Sequence, residues 1–560
     1  MIKKSKFVVM NLNGEKIDSS HKNFNDRLSI SFNKPFLNMR KYNGLINKHL
    51  KQLKNLIRIF SLLIFATIYL TTISACVNSK NKNPNFIVIY VDDVGYNDLA
   101  CYGAKDPAIQ TPNIDRMAEE GVRFTDWQSA SSVCAPSRAS LLTGRYPNRC
   151  GLPTVPNAIA HFGDNYQQNI GLQQSELTIP EILKPLGYST AMYGKSHLGW
   201  DSKFYPLRHG FDEYYGSLGN FPIGGTHPVH EGDEVVKDSV RFQDIHLELT
   251  ERTIEFMKKN HEKDKPFFIY LAHYLAHGPW DPNQQFATEA EWEIYENQPI
   301  RGHLRDGGDK IYPALIRELD WHVGEVLKAI KDLEIDENTL VFFISDNGPW
   351  LPAGSAWPLK GSKYNTFEGG HRVPSIARWP GVIPPGQVSD AICSTMDIFP
   401  TIAHLSGSEL PDDRKIDGLD ITQILKGERL KTGHDILYYY NGITLEAVRE
   451  GNWKLHLPRT PESKVFWSRS NLGGFQRLDK PVLFDLGAEI GEQTDLADKY
   501  PEVVQRLLSH AQKAREELGD WNTIGKDQKR LLNYTGNINN PTRVIGVNPH
   551  LKDIENKKTY

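Results

Sequence analysis

A few short stretches of this chain carry side chains suited to handling an anionic group. Cys134 stands in Ser132-Val133-Cys134-Ala135-Pro136-Ser137-Arg138-Ala139-Ser140-Leu141-Leu142-Thr143-Gly144-Arg145. The order reads as a loop feeding a short helix. Pro136 fits the first helical position, Ala139, Leu141 and Leu142 are good helix formers, and Gly144 suits a left-handed stop. Cys134 then sits just ahead of a helix N-terminus, where free N–H groups and the dipole favour negative charge. Arg138 lies one turn along and can reach back over the same spot. A thiol placed there is polarised towards thiolate. Asp92-Asp93 and Asp346-Asn347 are two further oxygen-bearing pairs. Adjacent carboxylates repel unless a cation neutralises them, and oxygen ligands suit a hard cation. Lys195 and His197 alternate by two, so in extended backbone they point to one side as an anion clamp.

Apolar runs position these residues. Phe86–Val91 is a continuous β-branched and aromatic run that stops at Asp92-Asp93-Val94-Gly95, and Leu340–Ser345 stops in the same way at Asp346-Asn347-Gly348. Such runs suit strands buried on both faces of a parallel sheet. In open α/β sheets, ligands gather at the carboxyl ends of strands. Ile114–Gly121 reads as a helix before a strand at Val122–Phe124. Leu177–Tyr188 reads as a capped short helix before a strand at Ser189–Tyr193. Pro266–Ala272 is another buried strand, followed by His273 and His277, and Ile316–Leu327 is an amphipathic helix. This rhythm predicts an α/β fold with a large, mostly parallel central sheet flanked by helices. From about residue 427 the texture changes to short antiparallel strands over 437–440, 446–450, 451–457 and 482–486, then a helix from Val503 to Leu518. The tail beyond Trp521 is polar and rich in Asn.

Length and charge set outer bounds. A chain of 560 residues holds two or three domains. Lys and Arg number 65 against 68 Asp and Glu, so neither nucleic acid nor acidic disorder is indicated. Five cysteines in so long a chain are not a disulfide framework. One pair among Cys101, Cys150 and Cys393 is left open. Lys48, Lys51, Lys54 and Arg58 precede the apolar run Ile59–Leu70, which ends in Ile73-Ser74-Ala75-Cys76. A basic segment, an apolar core and small residues describe an export signal. Cys76 after Ser-Ala looks like a bacterial lipobox, which makes Cys76 the lipidated first residue. A permanent membrane helix is the other reading, but the run is short against the roughly 20 apolar residues of a span. Met39 is the suspected natural start. The expected layout is a leader and signal over 1–75, a polar tether over 76–85, a catalytic domain over 86–426, a smaller α+β part over 427–520 and a polar tail over 521–560. The product expected from this layout is an exported, membrane-anchored lipoprotein on the periplasmic side or cell surface.

Cys134-Ala135-Pro136-Ser137-Arg138, extended through Thr143-Gly144-Arg145, resembles the signature of the formylglycine-dependent (type I) sulfatases of the alkaline phosphatase-like superfamily. Gly194-Lys195-Ser196-His197-Leu198-Gly199 resembles that family's Gly-Lys-Trp-His-Leu-Gly block, with Ser196 in place of Trp. Ala276-His277-Gly278-Pro279 loosely matches its Pro-His-Thr-Pro. Glu368-Gly369-Gly370-His371-Arg372-Val373-Pro374 matches its Glu-Gly-Gly block, and aligning on Glu368 makes Lys363, not Lys360, the sulfate-binding lysine.

The resemblance implies that a maturation enzyme oxidises Cys134 to Cα-formylglycine. Its hydrate attacks sulfur with one hydroxyl and releases sulfate through the second. The resemblance also implies one Ca²⁺ held by Asp92, Asp93, Asp346 and Asn347 beside the modified residue 134. Lys195 and Lys363 clamp sulfate, Arg138 holds the hydrate, His277 protonates the leaving oxygen and His197 takes the hydrate proton. His273 more readily lines a wall or satisfies a backbone group. The expected substrate is a sulfated polysaccharide fragment, with Trp200, Trp280, Trp350 and Trp357 near the motif loops. Two rivals remain. One is a phosphonate or phosphate monoester hydrolase of the same superfamily. The other is a non-catalytic glycan-binding lipoprotein.

Overall fold

The computed structural model describes residues 83–156, 170–221, 226–297, 300–301, 304–305, 308–351, 353–460 and 477–529, with helical positions scattered between 48 and 61. Cys76, the lipobox, the tether before residue 83, Met39 and the tail beyond residue 529 lie outside the described residues. Among the described residues, no helix is long and apolar enough to cross a membrane.

The strands in chain order are β1 (Asn85–Val91), β2 (Val122–Phe124), β3 (Trp127–Gln128), β4 (Ser189–Gly194), β5 (Glu213–Gly216), β6 (Thr226–Glu231), β7 (Glu234–Arg241), β8 (Phe267–Ala272), β9 (Ile300–Arg301), β10 (Leu304–Arg305), β11 (Thr339–Ser345), β12 (Ser375–Arg378), β13 (Gln387–Ser389), β14 (Cys393–Ser394), β15 (Ile436–Asn441), β16 (Thr444–Glu450), β17 (Trp453–His456) and β18 (Val482–Asp485). Ten of them form one mixed sheet in the order β13-β2-β12-β11-β1-β8-β4-β5-β6-β7. Its centre, from β11 through β1, β8 and β4 to β5, is parallel. Antiparallel pairings at β12 and at the β6–β7 hairpin close its two sides.

β1, β8 and β11 are buried along their whole length, because helices cover both faces of the sheet. Alternate residues of β1 enter different cores: Phe86, Val88 and Tyr90 on one side, Ile87, Ile89 and Val91 on the other. Each such apolar side chain contributes about 1.5–3 kcal/mol when fully buried. The helices Phe242–Glu262 and Gly308–Asp332 cover the second face. The expected capped helix is present over Ile179–Leu183, with Thr178 and Glu181 forming its capping box.

A separate antiparallel sheet, β15-β16-β17-β18, packs against the helix Pro501–Leu518. The segments expected as 86–426 and 427–520 belong to one compact unit of the chain. A buried ionic network joins them. Arg449 donates to Asp126 at 2.9 Å and 2.5 Å, Lys454 donates to Glu368 at 2.8 Å, and the Glu368 amide donates to Glu492 at 2.6 Å. The cysteine pair left open by the sequence does not form: Cys101, Cys134, Cys150 and Cys393 are all free thiols.

Two buried histidines give the fold an acid limit. Burial pushes the pKa of His209 and of His371 down to about 4, against about 6.5 in an unfolded chain. As pH falls, the unfolded chain takes up protons first, so folding free energy is intact above about 6.5 and declines towards about 4. Urea unfolding at pH 5 should therefore give a lower stability than at pH 7, by roughly 1.4 kcal/mol per unit for each histidine. His209→Gln should remove its share of that slope.

Candidate active site

Four neighbouring parallel strands deliver the site at their carboxyl ends. β11 leads into Asp346, β1 into Asp92, β8 into the loop carrying His277, and β4 into Lys195. The tips are tied together through backbone. The Asp346 amide donates to Val91 O at 2.9 Å, the Asp92 amide to Leu275 O at 3.0 Å, and the Lys195 amide to Ala272 O at 2.8 Å. Close approach requires glycine at two points. A Cβ on Gly194 would lie 2.0 Å from Ala272 O, and one on Gly348 1.8 Å from Gly369 O.

The expected ligand residues meet. Candidate ligand atoms of Asp92, Cys134 and Asp346 all lie within 4.8 Å of one another, and all three residues are buried. The Asp93 amide donates to Asp346 Oδ1 at 3.2 Å, and Asn347 Nδ2 donates to Asp93 Oδ1 at 2.6 Å. Asp92 Oδ1 and Asn347 Oδ1 are buried and accept no hydrogen bond from the chain. Two orphaned oxygens facing crowded carboxylates are costly unless a cation takes them. The donor set, all oxygen and mostly carboxylate, fits a hard divalent cation such as Ca²⁺.

The cations of the site are engaged with those carboxylates. Lys195 Nζ donates to Asp92 Oδ2 at 2.5 Å, and Lys363 Nζ donates to both oxygens of Asp93 at 2.6 Å and 2.7 Å. Arg138 donates through Nε and a terminal nitrogen to Asp346 Oδ2, at 3.1 Å and 2.7 Å, and to Lys195 O at 3.1 Å. It also stands 3.5 Å from Asp92. The guanidinium thus aligns the two strand tips. Burial raises the Asp92 pKa, but Lys195, His277 and Arg138 outweigh it and hold the group well below the usual carboxylate range. Burial and the neighbouring Asp92 push Asp346 up.

Cys134 differs from expectation in two ways. It is itself the first residue of the helix Cys134–Thr143, behind the extended Val133, so Pro136 falls two residues inside. The helix stops at Gly144 in a left-handed conformation, φ 68°, as expected. The thiol is not polarised to thiolate. Burial pushes its pKa up, and Lys195 and Lys363 do not offset burial together with Asp92 and Asp346. A helix-end dipole contributes only about 1 kcal/mol and is outweighed by desolvation.

His197 Nδ1 lies 3.2 Å from Cys134 Sγ, and its Nε2 has no partner. Burial, Lys195 and Arg138 drive its pKa well below the ordinary value, so the ring is neutral at pH 7. His277 is held down to about 4 by burial and Lys363. Its Nδ1 pairs with Gly278 O, and its Nε2 stands 3.6 Å from Asp93 Oδ2. His273 takes the backbone role: its Nδ1 accepts from the Leu275 amide at 3.2 Å.

Backbone strain gathers at this site. Of six left-handed non-glycine residues among the described residues, three lie here: Asp93 (φ 61°), His197 (φ 53°) and Tyr364 (φ 75°). Such conformations persist where surrounding structure holds them and cluster at functional sites. Of the four tryptophans, Trp350 lies tilted against His277 with ring centres 5.4 Å apart, and Trp280 packs at 6.2 Å on Trp350 with 2% exposure. Trp200 instead meets His227, and Trp357 is half exposed beneath Lys105. The Ser196 hydroxyl is buried without a partner where the related block carries Trp.

Sequence reading missed the supports behind these groups. Ser129 Oγ donates to Asp346 O at 2.5 Å and is hydrogen-bonded to Ser137 Oγ, which in turn meets Tyr90. Lys454 and Glu492 hold Glu368 from the small sheet. No local pattern marks such partners, since they lie far apart in the chain.

Strand-tip carboxylates around a buried cysteine, with two lysines and two neutral histidines, define a hydrolase of anionic esters on an alkaline phosphatase-like sheet. The chain belongs to the sulfatase family: the sulfatase family model matches residues 84–408, and the model of the C-terminal region of aryl-sulfatase matches 432–539. It is a sulfuric ester hydrolase by that membership. N-acetylgalactosamine-6-sulfatase of Canis lupus familiaris is 36% identical over 473 residues, covering 78% of this chain and 86% of that protein. Arylsulfatase G of the same species is 32% identical, with 84% and 91% covered. The structure of Ps i-CgsB in complex with k-i-k-neocarrahexaose matches with TM-score 0.65 and 26% identity, covering 85% of this chain and 100% of that one.

Proposed function

We propose that this sulfatase removes sulfate from sulfated carbohydrate, with residue 134 acting as formylglycine and with one Ca²⁺ held by Asp92, Asp93, Asp346 and Asn347. The convergence of Asp92, Cys134 and Asp346 within 4.8 Å carries the reading. A buried, protonated thiol is a poor nucleophile, so position 134 needs different chemistry. The formylglycine hydrate supplies a hydroxyl nucleophile for sulfur and a second hydroxyl for release. The cation, when bound, polarises that hydroxyl and a sulfate oxygen.

The chain's own groups do the rest. Lys195 and Lys363, paired here with Asp92 and Asp93, would hold sulfate oxygens; a cation on those two carboxylates would supply the charge that replaces the lysines there. Arg138 stays on Asp346 and keeps the tips aligned. His197, neutral and beside residue 134, accepts a proton there. His277 must gain a proton at Nε2 before it can give one to the leaving oxygen, and the charge of a bound sulfate favours that uptake. Carbohydrate as substrate is supported by the N-acetylgalactosamine-6-sulfatase relatives and by the neocarrahexaose bound to Ps i-CgsB. Trp350 beside His277 offers a sugar-stacking face.

The test is protein purified from a host that matures sulfatases. Its intact mass should be roughly 18 Da below that of the cysteine form. It should release sulfate from N-acetylgalactosamine- or galactose-sulfate oligosaccharides in a calcium-dependent way. Unmodified protein without activity, or faster hydrolysis of aryl phosphate than of any sulfate, overturns the proposal. Sulfate release from aryl sulfates alone overturns the carbohydrate part.

We also infer that Cys76 is lipidated and anchors an exported enzyme. The basic segment, the apolar run and Ser74-Ala75-Cys76 support this. Cells fed labelled palmitate should label the wild type, whereas Cys76→Ala should lose the label and leave the membrane fraction. Equal labelling of both rejects the anchor.

A further inference from the structure

We propose a second metal site, remote in the chain from Cys134, in which His246, Glu318 and His322 hold a divalent transition ion, zinc foremost. The sulfatase reading above assigns these residues no role. His246 lies on the helix Phe242–Glu262, and Glu318 and His322 lie four residues apart on the helix Gly308–Asp332. That spacing puts both on one helical face. One ring nitrogen from each histidine and one Glu318 oxygen lie within 4.8 Å of one another. His246 Nδ1 is 3.0 Å and His322 Nε2 3.8 Å from Glu318 Oε1. Zinc bonds of about 2.1 Å in tetrahedral geometry place ligand atoms roughly 3.4 Å apart, between those two distances. Two histidines and a glutamate are a donor set that zinc uses, and imidazole nitrogen favours transition ions over calcium.

The surrounding hydrogen bonds prepare the ligands. The Thr250 hydroxyl lies 3.4 Å from His246 O and is hydrogen-bonded to His322 Nδ1 at 2.8 Å. That contact engages His322 Nδ1 and leaves Nε2 as the ring atom turned to Glu318. The Asn283 amide donates to Glu318 Oε2 at 3.3 Å and fixes the carboxylate. What hydrogen bonding leaves over is the independent sign. His322 Nε2 is buried with no hydrogen bond and has only Glu318 Oε1 before it at 3.8 Å, a gap that an ion between nitrogen and carboxylate would close. A buried ring nitrogen left unpaired costs about 1–3 kcal/mol. The His273 ring stands 5.1 Å from that of His246 and 5.2 Å from that of His322. Its Nδ1 accepts from an amide, so its Nε2 keeps a proton. Phe242 packs on the His246 ring, and Phe286 and Trp321 pack on that of His322. The ion would staple two helices to the end of β8, whose following loop carries His277.

The experiment reads metal content, so it is separate from sulfate release. Full-length protein is dialysed against zinc, desalted, and analysed by inductively coupled plasma mass spectrometry. One zinc per chain is expected in the wild type, and its loss in Glu318→Gln and His322→Gln. Asp93→Asn, at the catalytic centre, should keep it. Thr250→Val, which frees the His322 ring, should weaken zinc binding roughly 10–100-fold. Should the histidine or glutamate variants fail to fold, cobalt loading of the wild type decides: tetrahedral visible absorption is expected, and it should vanish on adding zinc. Folded wild type that takes up neither ion, or Glu318→Gln that keeps stoichiometric zinc, overturns the site.

Discussion

Cys134→Ala is expected to abolish sulfate release, with a loss on the order of 10⁵–10⁶ in kcat, comparable to deleting a covalent nucleophile. The fold should survive. Cys134 is 2% exposed, its one polar side-chain contact is with His197, and removing a single buried sulfur leaves a small cavity, a cost of about 1 kcal/mol. The variant should therefore melt near the wild type while showing no turnover. Cys134→Ser separates two explanations of that loss. A serine keeps one hydroxyl but lacks the second, so it should at most transfer sulfate once and stop as a stable ester, seen as a mass gain of roughly 80 Da. Multiple turnovers by the serine variant would show that an ordinary hydroxyl suffices and that oxidation of Cys134 is not needed.

Asp346→Ala should be the most destabilising single change at the site. Arg138 is completely enclosed and makes its closest ion pair, at 2.7 Å, with Asp346. Removing that carboxylate leaves Asp92 at 3.5 Å as the nearest counter-charge and strips the Asp93 amide of its acceptor. Breaking one partner of a buried pair costs about 3–5 kcal/mol. Urea unfolding should show that loss, and activity should vanish with it. Asp346→Asn gives a sharper comparison. An amide of the same shape keeps an oxygen to accept from Arg138 and from the Asp93 amide but removes the charge, so it should cost less stability than alanine. Calcium affinity, read by calorimetry, should still fall steeply because one of the negative ligands is gone. An asparagine variant as unstable as the alanine one would show that the charge itself, rather than the shape, holds Arg138.

Much of this site was legible because its strands are buried on both faces. Continuous apolar runs ending abruptly in Asp92-Asp93 and Asp346-Asn347 can hardly be anything but central strands with polar tips, and β1 and β11 are indeed parallel neighbours. The β6–β7 hairpin was invisible for the opposite reason. β7 is exposed at all but one position, so its sequence carries no inward-facing alternation. β12 and β13 are too short to give a period. The thiolate expectation failed because helix-end electrostatics is a local rule, whereas desolvation of Cys134 is set by walls from distant segments. Glu368 announced a motif but not its purpose; Lys454 and Glu492, which grip it, lie far downstream. Glu318 and His322 looked like one amphipathic helix, and only His246, from another helix, turns them into a cluster.

The parallel pairing of β1 with β11 also sets a clock during synthesis. Cys134 sits in a chamber whose far wall, Asp346 and Lys363, has not been translated when Cys134 leaves the ribosome. At roughly 5–20 residues per second, on the order of ten seconds or more pass before the Asp346 strand can dock. For the formylglycine proposed at residue 134, that interval would be the one in which an oxidising enzyme could reach the thiol, since the folded site buries it. A sheet assembled from sequential hairpins would shut much sooner. The wide separation of neighbouring strands along the chain thus keeps a temporal door ajar for maturation.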